Sequence, residues 1–215
     1  MAARNEVMID SDGSVLAAWA YVSAPKRPCV VMAHGFSLTR HDGLEAYAER
    51  LADAGLSVLV FDHRYLGDSG GEPRQRFRAA EQLQDWRAAI AFARSLPAVD
   101  PAKIIPWGFS FSGGHVVTLA AEDPSFAAAI ALCPFVNGLR RVLGAKPRDI
   151  AWLLPRAIAD LAGRPNLVPV TAPPGSHAAM TLPGEAEGFA AVVPPGSSWR
   201  DEISPGVFAT VALHR

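Results

Sequence analysis

Short apolar runs alternate with longer amphipathic segments through the first part of the chain. Almost entirely apolar runs, typical of strands buried on both faces of a sheet, lie at 29–33, 57–61 and 127–132. Two further strands are predicted, one after the turn signal Asp12-Gly13 and one interrupted by Pro106, at 14–22 and 103–108. Apolar residues spaced three and four apart predict intervening helices at 44–54, 79–96 and 112–121. This alternation predicts an α/β fold with a mostly parallel sheet and helices on both faces.

The character of the sequence changes after Asn137. Two helices broken by Pro147 and Pro155 are predicted within 139–161, and residues 163–206 are dense in proline and glycine. This loop-rich segment keeps aromatic side chains that a flexible linker rarely needs, namely Trp152, Phe189 and Trp199. We therefore interpret it as a lid and divide the chain into a core and a lid segment, at 1–137 and 138–215.

Composition excludes several classes of function. Lys and Arg number 20 against 21 Asp and Glu, so the chain has no excess of positive charge to attract nucleic acid. We expect no membrane span, because no apolar run approaches about 20 residues. The first ten residues contain no apolar signal-peptide core, which predicts a cytoplasmic location. Cys29 and Cys133 each lie in an apolar run, so two buried free thiols are favoured over a disulfide.

The segment Gly108-Phe109-Ser110-Phe111-Ser112-Gly113-Gly114 follows a predicted strand and opens a predicted helix. A nucleophile elbow requires this context, because its serine sits in a strained turn whose neighbours must be small. Such a turn would lift the Ser110 hydroxyl above the sheet, at a helix N-terminus that favours negative charge. A Gly/Ser turn without chemistry is the alternative, and the strand–helix context favours the nucleophile.

Two other loops follow predicted strands. In His34-Gly35-Phe36, the backbone N–H of Phe36 is expected to join that of Phe111 in an oxyanion hole. His34 itself is expected to shape the loop through hydrogen bonds to backbone rather than to act as the base. The third loop, FDHRYLGDSGG from residue 61, is interpreted as structural. A metal site is disfavoured there because adjacent strand residues point to opposite faces.

These three motifs, HGF, FDHRYLGDSGGEPRQ and GFSFSGG, occur in an order that resembles α/β-hydrolases of the serine aminopeptidase, X-Pro peptidase and dienelactone-hydrolase-like groups. The resemblance covers roughly residues 10–137. It implies a serine hydrolase that cleaves ester or amide bonds, peptides included, through an acyl-enzyme on Ser110, and it implies no cofactor. Ser112 departs from the G-x-S-x-G pattern, although serine is small enough for the turn. The glycines do not match the G-x-G-x-x-G pattern of dinucleotide-binding domains.

The same resemblance implies an acid and then a histidine base after the nucleophile. The candidates are Asp201 with His177 or His214, and none of them follows a buried strand. His115 lies one turn into the elbow helix and is expected to point away from the serine. We therefore expect that the sequence ends within or just after the lid, leaving the fold incomplete on its C-terminal side. Two further expectations are a sheet edge open to self-association and, as the alternative function, a catalytically inactive fragment.

Overall fold

A computed structural model describes residues 3–22, 25–144, 146–164 and 166–210. Strands and helices alternate along the core, and helices predominate in the remainder. The elements in chain order are β1 (Arg4–Ser11), β2 (Ser14–Tyr21), β3 (Arg27–Ala33), α1 (Leu44–Asp53), β4 (Ser57–Phe61), α2 (Ala79–Ser95), β5 (Val99–Phe109), α3 (Phe111–Glu122), β6 (Ile130–Leu132), α4 (Gly138–Leu143), α5 (Pro147–Leu161), α6 (Glu185–Val192) and α7 (Gly206–Thr210).

The strands form one sheet in the order β1-β2-β4-β3-β5-β6. The pairs β4–β3, β3–β5 and β5–β6 are parallel, whereas β1–β2 and β2–β4 are antiparallel. The predicted α/β fold with a mostly parallel sheet is confirmed. The carboxyl ends of β3, β4 and β5 therefore lie at one edge of the sheet, which gathers the three motif loops there.

Helices cover both faces of the sheet, as predicted. Along β3, Val31 faces one apolar cluster with Trp86 of α2, whereas Val30 and Met32 face a second cluster with Leu44 of α1. This alternation follows from the two-residue period of a strand, and it explains why the run 29–33 is apolar throughout. Both clusters are fully buried, so the strand ends that carry the loops are rigidly held.

The segment after Asn137 contains more helix than predicted. The prediction that Pro155 breaks a helix was wrong, because α5 runs from Pro147 through Pro155 to Leu161. Pro155 has no N–H, so the carbonyl of Ala151 lacks its usual helical hydrogen bond. Both residues are exposed, so water can donate to that carbonyl instead. Helix α6 (Glu185–Val192) also occupies part of the segment that was predicted to be irregular.

Polar and apolar contacts fix this segment to the core. The Asp160 carboxylate on α5 accepts a hydrogen bond from Arg78 at 2.7 Å, and the Ser197 hydroxyl donates to Asp42 at 2.6 Å. A third apolar cluster joins Phe77 and other core residues to four fully buried residues of the segment after Asn137, namely Val168, Val170, Ile203 and Val207. The segment after Asn137 is thus packed on the sheet edge that carries the motif loops.

The cysteine prediction needs one correction. Both thiols are free, but only Cys29 is buried, and burial raises its pKa to about 12. Cys133 is exposed because it lies one residue beyond the short edge strand β6, with a backbone φ of 45°. Among the described helices, none is long and apolar enough to cross a membrane.

Candidate active site

Ser110 occupies a sharp turn between β5 and α3. Its backbone has φ 54° and ψ −109°, a region that costs a non-glycine residue about 1–3 kcal/mol. Two hydrogen bonds hold this turn, since the Ser110 N–H donates to the carbonyl of Leu132 at 2.8 Å and its carbonyl accepts from the N–H of Phe135 at 2.9 Å. The residue is half-buried and heads the helix α3. The geometry is that of a strained elbow with its serine at a helix N-terminus.

Glycines around Ser110 make this turn sterically possible. A Cβ at Gly108 would lie 2.2 Å from the carbonyl oxygen of Ser112, and a Cβ at Gly114 would lie 2.2 Å from that of Phe135. Real Cβ atoms do not approach backbone oxygen so closely, and backbone cannot move aside as a flexible side chain can. The glycines are therefore required by the close packing of β5, α3 and the chain after β6.

The loop after β3 lies directly against the elbow. A Cβ at Gly35 would lie 3.3 Å from the Cβ of Ser110. Among the described residues, neither the N–H of Phe36 nor that of Phe111 donates to a protein acceptor. The two rings belong to one apolar cluster, with their centroids 6.2 Å apart. The loop after β3 and the N-terminus of α3 thus each bring one N–H group without a protein acceptor, among the described residues, close to Ser110.

His34 shapes the loop that carries Phe36. Its Nε2 accepts a hydrogen bond from the backbone N–H of His63 at 3.3 Å, which leaves the proton on Nδ1. Nδ1 then donates to the carbonyl of Gly35 at 2.9 Å. This carbonyl and the N–H of Phe36 belong to the same planar peptide, so the hydrogen bond fixes the direction of that N–H. The side chain of His34 is buried and contacts backbone, as the sequence indicated.

A buried histidine of the loop that the sequence predicted to be structural lies beneath the elbow. His63, on the loop after β4, has Nε2 3.2 Å from the hydroxyl of Ser112 and Nδ1 3.5 Å from the carboxylate of Asp85 on α2. Burial lowers the pKa of His63 to about 4, so the imidazole is neutral near pH 7. Serine, histidine and aspartate occur together here, but Ser112 and His63 are each only 1% exposed, so no substrate reaches them.

Asp85 also binds the neighbouring Arg64. The Nε of Arg64 donates to the Asp85 carboxylate at 2.7 Å, and the Ser11 hydroxyl donates to it at 2.9 Å. Burial alone would raise the pKa of Asp85, but the nearby imidazole of His63 and the hydrogen bonds from Arg64 lower it below its ordinary value. No motif indicated Asp85, because it lies in the middle of an amphipathic helix where a buried carboxylate is rare.

Polar contacts with the loop after β3 hold the loop from Asp62 to Gly71. The Asp62 carboxylate accepts hydrogen bonds from the backbone N–H and the guanidinium of Arg40, at 2.6 and 2.8 Å. Burial raises the pKa of Asp62, outweighing the positive charge of Arg40. Asp62 and His63 point to different partners, and no group of three or more metal-ligating side chains occurs within the described ranges. The contacts are those of a structural loop.

The acid and base candidates do not meet Ser110 in the part of the chain that the structure covers. Asp201 accepts a hydrogen bond from the backbone N–H of Thr171 at 2.9 Å. His177 stacks on Trp152 with the ring centroids 4.9 Å apart, and His214 lies outside the described residues. Within those residues, no imidazole hydrogen-bonds to the Ser110 hydroxyl.

Helix α3 contributes one further histidine. The Nε2 of His115 lies 3.0 Å from the side-chain oxygen of Gln82 on α2, and its ring contacts Phe111. His115 is buried between the two helices, consistent with the expectation that it points away from the nucleophile.

Curated proteins with similar sequences include hydrolases. The chain is 42% identical over 200 residues to the quorum-quenching protein AidA of Acinetobacter baumannii (strain MDR-ZJ06), covering 90% of this chain and 66% of that protein. It is 32% identical over 160 residues to a thiohydrolase of Eupenicillium brefeldianum, covering 74% of this chain and 51% of that protein. The chain thus spans between about half and two thirds of the length of these two relatives.

The fold comparison agrees with the sequence comparison. The crystal structure of the α/β hydrolase GrgF from Penicillium sp. sh18 superposes with a TM-score of 0.83 at 27% identity, covering 97% of this chain and 72% of that one. The sequence profile described as serine aminopeptidase, S33, matches residues 24–177, which include the elbow and both loops beside it. The chain therefore belongs to the serine aminopeptidase S33 family of α/β hydrolases.

Proposed function

We propose that Ser110 is the nucleophile of an acyl-transfer hydrolase that cleaves ester, thioester or amide bonds through an acyl-enzyme. The observation that carries the proposal is the strained backbone of Ser110 at the N-terminus of α3, with Gly35 packed against it. Strain of this kind persists where the surrounding structure enforces it, and it is concentrated at functional sites. The thiohydrolase among the relatives favours the inclusion of thioesters.

In this reaction the Ser110 oxygen attacks the substrate carbonyl while its proton passes to a base. The negative charge that develops on the carbonyl oxygen is stabilised by the N–H groups of Phe36 and Phe111 and by the N-terminal end of the α3 dipole. Collapse of this intermediate releases the alcohol, thiol or amine with a proton and leaves an ester on Ser110. Water then attacks that ester, which regenerates the hydroxyl and releases the acid.

The proposal also requires a base to accept the proton of Ser110. His177 and His214 are the candidates, with Asp201 as the carboxylate that would orient the imidazole. The buried imidazole of His63 does not serve, because its contacts are to Ser112 and Asp85 beneath the elbow. The segment 138–215 is proposed to act as a lid on the core of residues 1–137, and the cytoplasmic location stays a prediction.

Labelling with a fluorophosphonate tests the nucleophile directly. We expect the purified chain to take up one label, Ser110→Ala to take up none, and Ser112→Ala to be labelled like the parent. Ser112 is a matched control because it lies two residues away in the same elbow but is buried. Label that survives Ser110→Ala on folded protein would exclude the proposed nucleophile.

The second candidate is an inactive protein that keeps the fold of this family. It is favoured by one observation, namely that no imidazole within the described residues hydrogen-bonds to Ser110. Turnover of p-nitrophenyl acetate separates the candidates. Ser110-dependent turnover by the purified chain would reject the inactive protein, whereas a folded chain with neither turnover nor label would support it.

A further inference from the structure

The buried residue His63 contacts both segments that carry the proposed oxyanion donors. Its backbone N–H donates to Nε2 of His34 at 3.3 Å, on the loop that carries Phe36. Its ring nitrogen Nε2 lies 3.2 Å from the hydroxyl of Ser112, which follows Phe111 in the first turn of α3. The main chain of His63 therefore supports one donor segment, and its imidazole supports the other.

The main-chain contact of His63 continues to the N–H of Phe36. Because Nε2 of His34 accepts the hydrogen bond from His63, the proton of this ring lies on Nδ1, which donates to the carbonyl of Gly35 at 2.9 Å. That carbonyl and the N–H of Phe36 belong to one planar peptide. A displacement of the His63 backbone would therefore turn the N–H of Phe36 with it.

Several buried side chains hold the imidazole of His63 in place. Its Nδ1 faces the carboxylate of Asp85 at 3.5 Å, and that carboxylate accepts a hydrogen bond from Arg64 at 2.7 Å. The rings of Phe61 and His34 pack edge-on against the imidazole, each with its centroid 5.1 Å away. Because all of these side chains are buried, the imidazole cannot turn without displacing closely packed neighbours.

We infer that His63 is a positioning residue for the proposed oxyanion hole, because it holds the N–H groups of Phe36 and Phe111 in a fixed arrangement relative to each other. The inference rests on the proposed function of Ser110. His63 is only 1% exposed, so it acts through its neighbours and not by touching the substrate. The oxyanion forms only as the reaction proceeds, so misplaced donors lower kcat and leave KM unchanged. A displacement of about 1 Å can cost about a hundredfold in rate.

Two substitutions of His63 test the inference by kinetics. His63→Leu removes both ring nitrogens, whereas His63→Gln keeps a side-chain oxygen that can accept from the hydroxyl of Ser112. We expect His63→Leu to lower kcat for p-nitrophenyl acetate at least tenfold with KM unchanged, and His63→Gln to recover part of that loss. The rate of fluorophosphonate labelling should fall in parallel, while the final uptake stays at one label in every variant that keeps Ser110. An unchanged kcat in folded His63→Leu would overturn the inference.

Ile90→Ala is the matched control for a general loss of stability. Ile90 is buried on α2, the helix that also carries Asp85, but its apolar cluster contains neither Phe36 nor Phe111. Its truncation leaves a cavity that destabilises the fold. We expect kcat per folded chain to stay at the parent value in this variant. Equal losses of kcat in Ile90→Ala and His63→Leu would overturn the inference, because the effect would then follow stability alone.

A measurement without turnover separates this inference from the proposed nucleophile. Residual dipolar couplings report the direction of each N–H bond, and labelling with ¹⁵N-phenylalanine restricts the spectrum to the ten phenylalanines. We expect the couplings of Phe36 and Phe111 to change in His63→Leu and to stay unchanged in Ile90→Ala. Such a change in a chain that neither hydrolyses ester nor takes up label would support the positioning role and count against the nucleophile. Turnover that depends on Ser110, with both couplings unchanged in His63→Leu, would support the nucleophile and overturn the inference.

Discussion

The hydroxyl of Ser112 lies 3.2 Å from Nε2 of His63, and both side chains are buried beneath the elbow that carries Ser110. The carboxylate of Asp85, 3.5 Å from Nδ1, favours the proton on that nitrogen, so Nε2 accepts the hydrogen bond that Ser112 donates. Serine thus replaces the glycine of the G-x-S-x-G pattern with a residue that has a specific partner. The contact connects the first turn of α3 to the loop after β4.

Ser112→Ala is expected to destabilise the fold by about 1–3 kcal/mol, because it leaves the Nε2 acceptor of His63 buried without a donor. Urea denaturation followed by circular dichroism measures this change. Ser57→Ala is the matched control, since the Ser57 hydroxyl is also buried and has no hydrogen-bond partner within the described residues. Equal effects of the two substitutions would show that the contact between Ser112 and His63 contributes no stability.

Stability is also expected to fall between pH 6.5 and pH 4. The pKa of His63 is about 4 in the folded chain, and that of an unfolded histidine is about 6.5, so the unfolded state binds more protons in this window. The contribution is complete above pH 6.5 and is lost as the pH falls, by about 2 kcal/mol between pH 7 and pH 5.

Urea denaturation across this pH range checks the expectation. His63→Gln should flatten the dependence, because it removes the buried imidazole whose pKa is lowered. If the free energy of unfolding depends on pH equally in His63→Gln and in the parent, the dependence arises from other groups. The lowered pKa of Asp85 acts in the same direction at lower pH, and the raised pKa of Asp62 acts in the opposite direction.

The elements that could be predicted are the central strands, because burial on both faces of the sheet makes their sequences apolar throughout. Strand β4 coincides with the predicted 57–61, because every one of its residues is buried. Strand β1 (Arg4–Ser11) was missed, since it pairs only with β2 among the described strands and buries only Ile9 and Ser11 fully. A continuous apolar run indicates a central strand, whereas a polar edge strand carries no comparable signal.

The candidate site also has one part that could be predicted from the sequence and one part that could not. The strain and small neighbours of Ser110 depend on residues adjacent in sequence, so the motif was sufficient to predict the elbow. The role of Asp85 depends on its contact with His63, which lies 22 residues earlier in the chain, on the loop after β4. No local sequence pattern indicates a contact between residues so far apart. The partners of His177 and Asp201 likewise follow from how the segment after Asn137 packs, which its proline-rich sequence did not indicate.

Self-association through the edge strand β6 is a further prediction. Among the described strands β6 pairs only with β5, and Ala129 beside it is exposed. A lysine at an edge opposes pairing with a second chain. Ala129→Lys is therefore expected to lower the apparent mass in multi-angle light scattering, while Ala121→Lys on the exposed face of α3 leaves it unchanged. A parent chain that is monomeric at high concentration would contradict the prediction.

Alanine at Gly114 and at Gly188 should have opposite effects, although both glycines lie in helices. The Cβ at Gly114 would meet the carbonyl oxygen of Phe135 at 2.2 Å, so the chain after β6 would have to move and the elbow would lose its support. We expect a loss of at least about 3 kcal/mol in the free energy of unfolding, with loss of fluorophosphonate labelling.

A Cβ at Gly188 on α6 would meet nothing within 4 Å, and its φ is not positive, so alanine there should stabilise by about 0.5–1 kcal/mol. Thermal denaturation of the two variants beside the parent measures both signs at once. Tolerance of Gly114→Ala with full labelling would mean that the close approach of Phe135 to α3 is not needed to hold Ser110 in its strained conformation.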